Sequence, residues 1–250
     1  MDGFRPDTYG EAFADVYAQW YGSITDAEAT AAFVDTRSVE GPILELGVGD
    51  GRLALPLADR GRIVVGVDAS RSMLDQLATR DEAATRASTT GRVIALMADL
   101  ARLPVVGPIG GALCAFNTLF NLPSADQQQG LFDRLASALA PGAPIVVEAI
   151  TGHGLAESLD QSVGISQMSV DRLVLSATRV DAAAQTIEGQ HVDITEHGIR
   201  LRPWQLRWTT PEQLDAMAKR AGLRLDERIA DWHGEPFDDE SDRHISVYRR

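Results

Sequence analysis

The stretch Ile43-Leu-Glu-Leu-Gly-Val-Gly-Asp-Gly51 constrains this chain more than any other. A short apolar run reads as a strand, and three alternating glycines follow it. Glycine at 47, 49 and 51 lets the backbone turn sharply and approach a ligand closely. The helix expected over Arg52 to Ala58, despite Pro56, aims its free amides at the same place. Strand, glycine turn and helix in that order predict a parallel α/β sheet with a ligand crevice at its strand ends. Gly49-x-Gly51-x-x-Ala54 also satisfies a relaxed dinucleotide fingerprint, so an NAD-dependent oxidoreductase is one reading. Glu45 and Gly47 are extra to that fingerprint, and nothing beyond the loop marks a pyrophosphate site.

The neighbouring segments agree on the sheet. Arg62-Ile-Val-Val-Gly-Val-Asp68 is the β-branched run of a strand covered on both faces. Strands are expected at 92–97, 111–116 and 143–150, with helices from Ser70 to about Arg80 and from Ala125 to Leu139. Such alternation means βαβ units. Ahead of them, Tyr9, Phe13, Tyr17 and Trp20/Tyr21 recur at helical spacing. A second helix is expected over Asp26 to Thr36. From about 164 to 209 the period becomes two, with strands at Arg172–Val180, Gln185–Ile194 and Ile199–Trp208, an inserted antiparallel β-meander. Thr210-Pro211 opens a capped helix that Gly222 ends, and strands near 223–232 and 244–249 close the chain. The expected division is 1–40 helical lid, 41–154 cofactor-binding core, 155–209 insertion, and 210–250 closing elements of the core.

Composition narrows the function. With 23 basic against 36 acidic residues and a net charge of −13, the surface would repel a phosphate backbone, so no nucleic-acid partner is expected. No run approaches the roughly 18 apolar residues of a spanning helix, and no membrane partner is expected. Cys114 is the one cysteine, which fits a reducing, cytoplasmic setting and leaves no thiolate metal cage. Lys219 is the one lysine among the 23 basic residues, a bias that reads as GC-rich bacterial coding. The histidines form no short-spaced ligand pair, so no metal is expected.

Glu45-x-Gly47-x-Gly49-x-Gly51 resembles motif I of the class I S-adenosylmethionine-dependent methyltransferases. Asp68, ending the second strand, matches their ribose-binding acid. Asp99 and Leu100 match the pair beside adenine, and Phe116-Asn117-Thr118 stands where the superfamily contacts donor and acceptor. The resemblance implies a Rossmann-like seven-stranded, mostly parallel sheet with helices on both faces, carrying the N-terminal lid and the β-meander. It implies S-adenosylmethionine as cofactor and S-adenosylhomocysteine as product. Glu45, Gly47, Gly49, Gly51, Asp68, Asp99, Leu100, Phe116 and Tyr21 are the expected cofactor residues.

Phe13-Ala-Asp-Val-Tyr17 resembles the Tyr-Asp-x-x-Tyr lid of bacterial small-molecule methyltransferases, including those acting on amino groups of antibiotic sugars and peptides. Here the first tyrosine is phenylalanine and the aspartate has moved by one position. The partner implied is a small-molecule acceptor, with an amine nitrogen expected and a hydroxyl the alternative. A fold relative that binds the cofactor without methylating, a cyclase or binding protein, is a third reading. Methyl transfer is an in-line displacement that needs alignment and a place for the acceptor proton. Aromatic faces suit the sulfonium. Tyr9, Tyr17 and His153 are the expected catalytic residues, with His191 and His197 as further base candidates. Phe13, Asn117, Phe120 and Trp204 are the expected substrate residues. Glu148 reads as a buried, paired carboxylate. Arg200, Arg202, Trp204 and Trp208 share one side of their strand, a face open to the acceptor or to a second copy, and a homo-oligomer would use the insertion or the N-terminal helices.

Overall fold

The computed structural model describes residues 1–22, 24–84, 91–152 and 160–250. Its centre is a seven-stranded sheet in the order β10-β11-β5-β4-β1-β2-β3. The strands are β1 (Ile43–Leu46), β2 (Ile63–Asp68), β3 (Arg92–Met97), β4 (Gly111–Cys114), β5 (Ile145–Ile150), β10 (Arg224–Ile229) and β11 (Arg243–Arg249). β1 to β5 pair in parallel, and β11 enters antiparallel against β5 and β10. β1, β4 and most of β5 are buried on both faces, which is why their sequences are continuous apolar runs rather than alternations. Strand order reverses between β1 and β4, and the crevice of such sheets opens at that switch.

Helices α1 (Thr8–Tyr21), α2 (Ala27–Arg37), α3 (Ala54–Asp59), α4 (Arg71–Ala83), α5 (Ala125–Ala138) and α6 (Pro211–Arg220) surround the sheet. Their starts follow from side chains that satisfy the first free amides. The Ser70 hydroxyl accepts from the Met73 amide and Ser124 from Gln127, while Thr210 and Gln213 form a reciprocal capping box.

The insertion is a second sheet in the order β6-β7-β8-β9: Gln161–Met168, Arg172–Asp181, Thr186–Thr195 and Gly198–Arg207. The alternating pattern predicts three of these strands. β6 is the fourth, and all eight of its residues are exposed, so no buried face imposes an alternation that could be read from sequence. Pro203 lies on β9, an edge strand, where its missing N–H costs no ladder bond to a further strand.

Arg200 and Arg202, on the face they share with Trp204, reach α1. Arg200 Nη1 donates to Asp15 Oδ2 at 2.8 Å, and Arg202 Nη1 to Asp15 Oδ1 at 2.6 Å. On its other flank α1 is tied to α4, where Glu11 accepts from the Ser70 and Ser72 hydroxyls at 2.8 and 2.6 Å. The helix is thus moored to the core on one side and to the insertion on the other.

Candidate active site

Between α1, the ends of β1, β2 and β4, and the insertion lies a cavity of about 540 Å³. Its floor is the glycine loop. Gly47 and Gly49 have φ of +67° and +54°, a region other residues enter only with strain. A side-chain carbon on Gly47 would stand 2.6 Å from Thr118, whereas one on Gly49 would meet nothing nearer than Tyr17 at 4.0 Å. Gly49 therefore faces open space. Gly51 is different from the expectation: it does not line the cavity. Its φ is +83°, and a carbon there would strike Leu77 at 2.2 Å, so this glycine lets the loop pack on α4 rather than admit a ligand.

Asp68 is fixed at the end of β2 by two backbone amides, Gly49 N–H to Oδ2 and Ser70 N–H to Oδ1, both at 2.9 Å. Each oxygen keeps a further lone pair for the cavity. Asp99 Oδ1 accepts from the Ala101 amide at 2.9 Å, and Asp99 and Leu100 line the neighbouring wall. Phe116 and Asn117 follow β4 with φ of +48° and +61°. Such strain persists only where surroundings over-determine it. Glu148 Oε2 accepts from the Phe116 amide at 2.9 Å, and the Glu148 carbonyl accepts from the Asn117 amide at 3.1 Å. Asn117 Oδ1 in turn accepts from the Ile150 amide at 2.8 Å. Glu148 is buried and hydrogen-bonded as expected, but to N–H groups, its other oxygen taking the Trp232 indole at 3.1 Å.

From α1, Tyr9, Tyr17 and Tyr21 reach the cavity. Phe13 does not, contrary to the sequence expectation. It is wholly buried between α1, α4 and the insertion, stacked on Tyr9 at 4.5 Å and edge-on to Trp20 at 6.0 Å. Burial, then the neighbouring Tyr17 and Tyr21, hold the Tyr9 phenol well above its ordinary 10. Burial pushes Tyr17 up to about 12. Both are protonated at neutral pH and act as hydrogen-bonding phenols. Phe120 and Trp204 also line the cavity, and Gly189 opposite Trp204 on β8 leaves room for the indole, because a carbon there would sit 2.0 Å from it.

His153 lies outside the described residues. His191 on β8 lines the cavity, its Nδ1 buried without a partner, while His197 is exposed at the turn before β9. Burial, then the Arg202 charge, lower the His191 pKa below its ordinary 6.5.

Arg52 and Arg207 also line the cavity, and sequence reasoning missed both. Arg52 directly follows the glycine loop, a position readable in hindsight; Arg207 offers no such signal. Arg52 is buried with Nε and Nη1 unpartnered, and Glu45 Oε2 is likewise buried and unpartnered. A buried cation and a carboxyl left without partners are costly unless a ligand completes them. One carrying both a carboxylate and an ammonium, the two ends of an amino acid, satisfies both together.

Burial, outweighing the opposing Arg52 charge and aided by Asp50 and Asp68, raises the Glu45 pKa from 4.5 to about 8. Between those values the unfolded chain has the carboxylate ionised while the folded one keeps its proton. The contribution of this group to stability therefore declines as pH rises through that window. The stability of the ligand-free protein relative to Glu45→Gln is expected to fall from pH 5 to pH 8 in urea titrations. A difference flat with pH would remove the protonated Glu45.

Comparisons with known proteins decide among the readings. A family model described as a methyltransferase domain matches residues 43–142. The solved structure of the CcbJ methyltransferase from Streptomyces caelestis is 37% identical, covers 98% of this chain and 99% of its own, and superposes with a TM-score of 0.90. The chain belongs to the S-adenosylmethionine-dependent methyltransferases. Among proteins similar to this methyltransferase is a cypemycin N-terminal methyltransferase of Streptomyces sp, 25% identical over 98% of each chain. The S-adenosylmethionine-bound amino pentose methyltransferase CalS10 from Micromonospora echinaspora shares the fold at 19% identity and a TM-score of 0.67, with 94% of this chain and 97% of that one covered. The dinucleotide reading and the non-methylating reading are thereby set aside. The cofactor, when bound, supplies a methyl group on an electron-poor sulfonium. Among the described residues no cluster of potential metal ligands accompanies the cavity.

Proposed function

We propose that this methyltransferase alkylates an amine nitrogen of a small molecule in antibiotic or other secondary metabolism. The observation that carries the reading is the chemistry of the acceptor side. Phenols and aromatic faces meet there, and no described histidine in the wall is paired with a carboxylate to ionise a hydroxyl. An oxygen acceptor needs such a base; an amine needs only to arrive unprotonated. The described carboxyls of the wall, Glu45 on β1, Asp68 at the end of β2, and Asp50 and Asp99 just past strand ends, all belong to the core sheet and its loops, so in this reading no described carboxylate on the acceptor side holds the amine as an ammonium ion. Tyr9 and Tyr17, kept protonated, accept the amine N–H at their oxygens and aim its lone pair. Orientation of this kind is worth up to roughly 7–11 kcal/mol of a barrier. Relatives whose names specify a peptide N-terminus or an amino pentose support a nitrogen acceptor.

In this reading Asp68 holds the ribose hydroxyls, Asp99 and Leu100 flank the adenine, and Arg52 and Glu45 receive the amino-acid end. Phe116 and Tyr21, with ring centres 5.7 Å apart, shield the sulfonium. Asn117, Phe120 and Trp204 line the acceptor's seat. The test offers amino sugars, cyclic secondary amines and short peptides with free N-termini, and locates the new methyl by NMR of the product. Carbon bonded to nitrogen is expected. A methyl ether from an acceptor bearing both groups would replace this reading with O-methylation.

A further inference from the structure

Most buried or half-buried arginines described here meet a carboxylate: Arg37 with Glu227, Arg62 with Asp35, Arg172 and Arg202 with Asp193, Arg228 with Asp215, Arg249 with Asp226; outside the cavity Arg134 is an exception, donating to the Leu100 carbonyl. A protein of net charge −13 has acids to spare. In the cavity wall the rule breaks. Arg5 pairs with Asp7, but among the described residues neither Arg52 nor Arg207 has a carboxylate within 4.0 Å. The first faces the amino-acid end of the cofactor. The second stands at the end of β9, on the acceptor side, and the cofactor reading gives it nothing to do.

Arg207 is held in a fixed orientation. Its Nη1 donates to Gln128 Oε1 at 3.2 Å and to Thr209 Oγ1 at 3.1 Å. Gln128 is fully buried in α5, and its Nε2 donates back to the Arg207 carbonyl at 2.9 Å. Both partners of the guanidinium are neutral. A guanidinium has five N–H donors, of which Nη1 carries two, so Nε and Nη2 keep three for the cavity. The cavity lining also holds the neutral amides Asn121, Gln127 and Gln205. Burial lowers the Arg207 pKa, with no acid nearby to oppose it. A cation desolvated and positioned in this way, with a free planar fork, is built to receive a carboxylate or phosphate.

We propose that Arg207 binds an anionic group of the acceptor, a carboxylate or a phosphate, so that the molecule methylated here carries a negative charge beside its nucleophile. This rests on the acceptor occupying the cavity of the proposed function, and not on which atom is methylated.

The test uses the full chain saturated with S-adenosylhomocysteine and three probes, benzoate, phenyl phosphate and the neutral benzamide, titrated by ligand-observed NMR. At least one anion is expected to bind tenfold or more tighter than benzamide. Arg207→Gln should erase that preference, and Arg207→Lys, which keeps the charge and loses the fork, should keep part of it for phenyl phosphate and lose it for benzoate. Unchanged S-adenosylhomocysteine affinity identifies the folded variants. Equal binding of all three probes to the wild type overturns the proposal, as does an anion preference that survives in either variant at full strength. The better anion says which acceptor to seek. No methyl is transferred in this experiment, so a methyl ether in the previous one would leave its outcome intact.

Discussion

Asp68→Ala is expected to weaken S-adenosylhomocysteine binding at least a hundredfold while the protein remains folded. The side chain lines the cavity at the end of β2, its two oxygens positioned by the Gly49 and Ser70 amides. Hydrogen bonds to a charged group contribute about 1.5–3 kcal/mol each. Loss of two ribose bonds therefore costs about 3 kcal/mol or more, and each 1.4 kcal/mol is about a factor of ten. Removing the carboxylate also frees the Gly49 amide, which loosens the floor that the cofactor meets. Isothermal titration of wild type and variant measures the effect. Asp68→Asn should fall between them, since an amide keeps one acceptor and turns a donor toward a backbone N–H. An affinity unchanged in Asp68→Ala would take Asp68 out of the ribose role.

Arg202→Ala is expected to be the most destabilising single change on the insertion. The guanidinium is 2% exposed and bridges three elements. It donates to Asp15 and the Ala12 carbonyl on α1 at 2.6 and 2.5 Å, and to Asp193 on β8 at 3.0 Å. Breaking a buried pair by removing one partner typically costs about 3–5 kcal/mol. Arg172 still pairs with Asp193 and Arg200 with Asp15, so the lower end applies, about 3 kcal/mol, or roughly 6–12 °C in Tm for a chain of this size. Arg200→Ala, at a half-exposed pair, should cost under about 1 kcal/mol. Calorimetry on the two variants separates them. Equal melting temperatures would mean that Arg202 carries no such load.

How much of this was legible depended on whether the signal was local. The glycine loop, Asp68 and the Asp99-Leu100 pair are read from a few residues because each is a strand end followed by a turn, and strand ends are where the crevice of a parallel sheet opens. The tyrosine stripe was half legible. Helical spacing puts Tyr9, Phe13, Tyr17 and Tyr21 on one broad face, but a helix face has a middle and two flanks. Only contact with Met73 and His191 determines that Phe13 goes inward. His191 and Arg207 reach the cavity because the insertion folds back over the core, a placement that no local pattern encodes. Similarly, alternation reveals that Arg200 and Arg202 share a face, but not that the face meets an aspartate 185 and 187 positions earlier. β6 left no trace because none of its residues is buried.

The mooring of α1 bears on how such enzymes diversify. The insertion is contiguous in sequence, so it looks exchangeable as a cassette between relatives with different acceptors. Its inner face, however, is written partly in α1, since Arg202 and Arg200 are complete only with Asp15. A chimera that imports the insertion alone deprives the buried Arg202 of Asp15 and leaves it only Asp193, and one that imports α1 alone strands an aspartate. The insertion and α1 are therefore two distant pieces of chain that must change together, on a core that can stay the same.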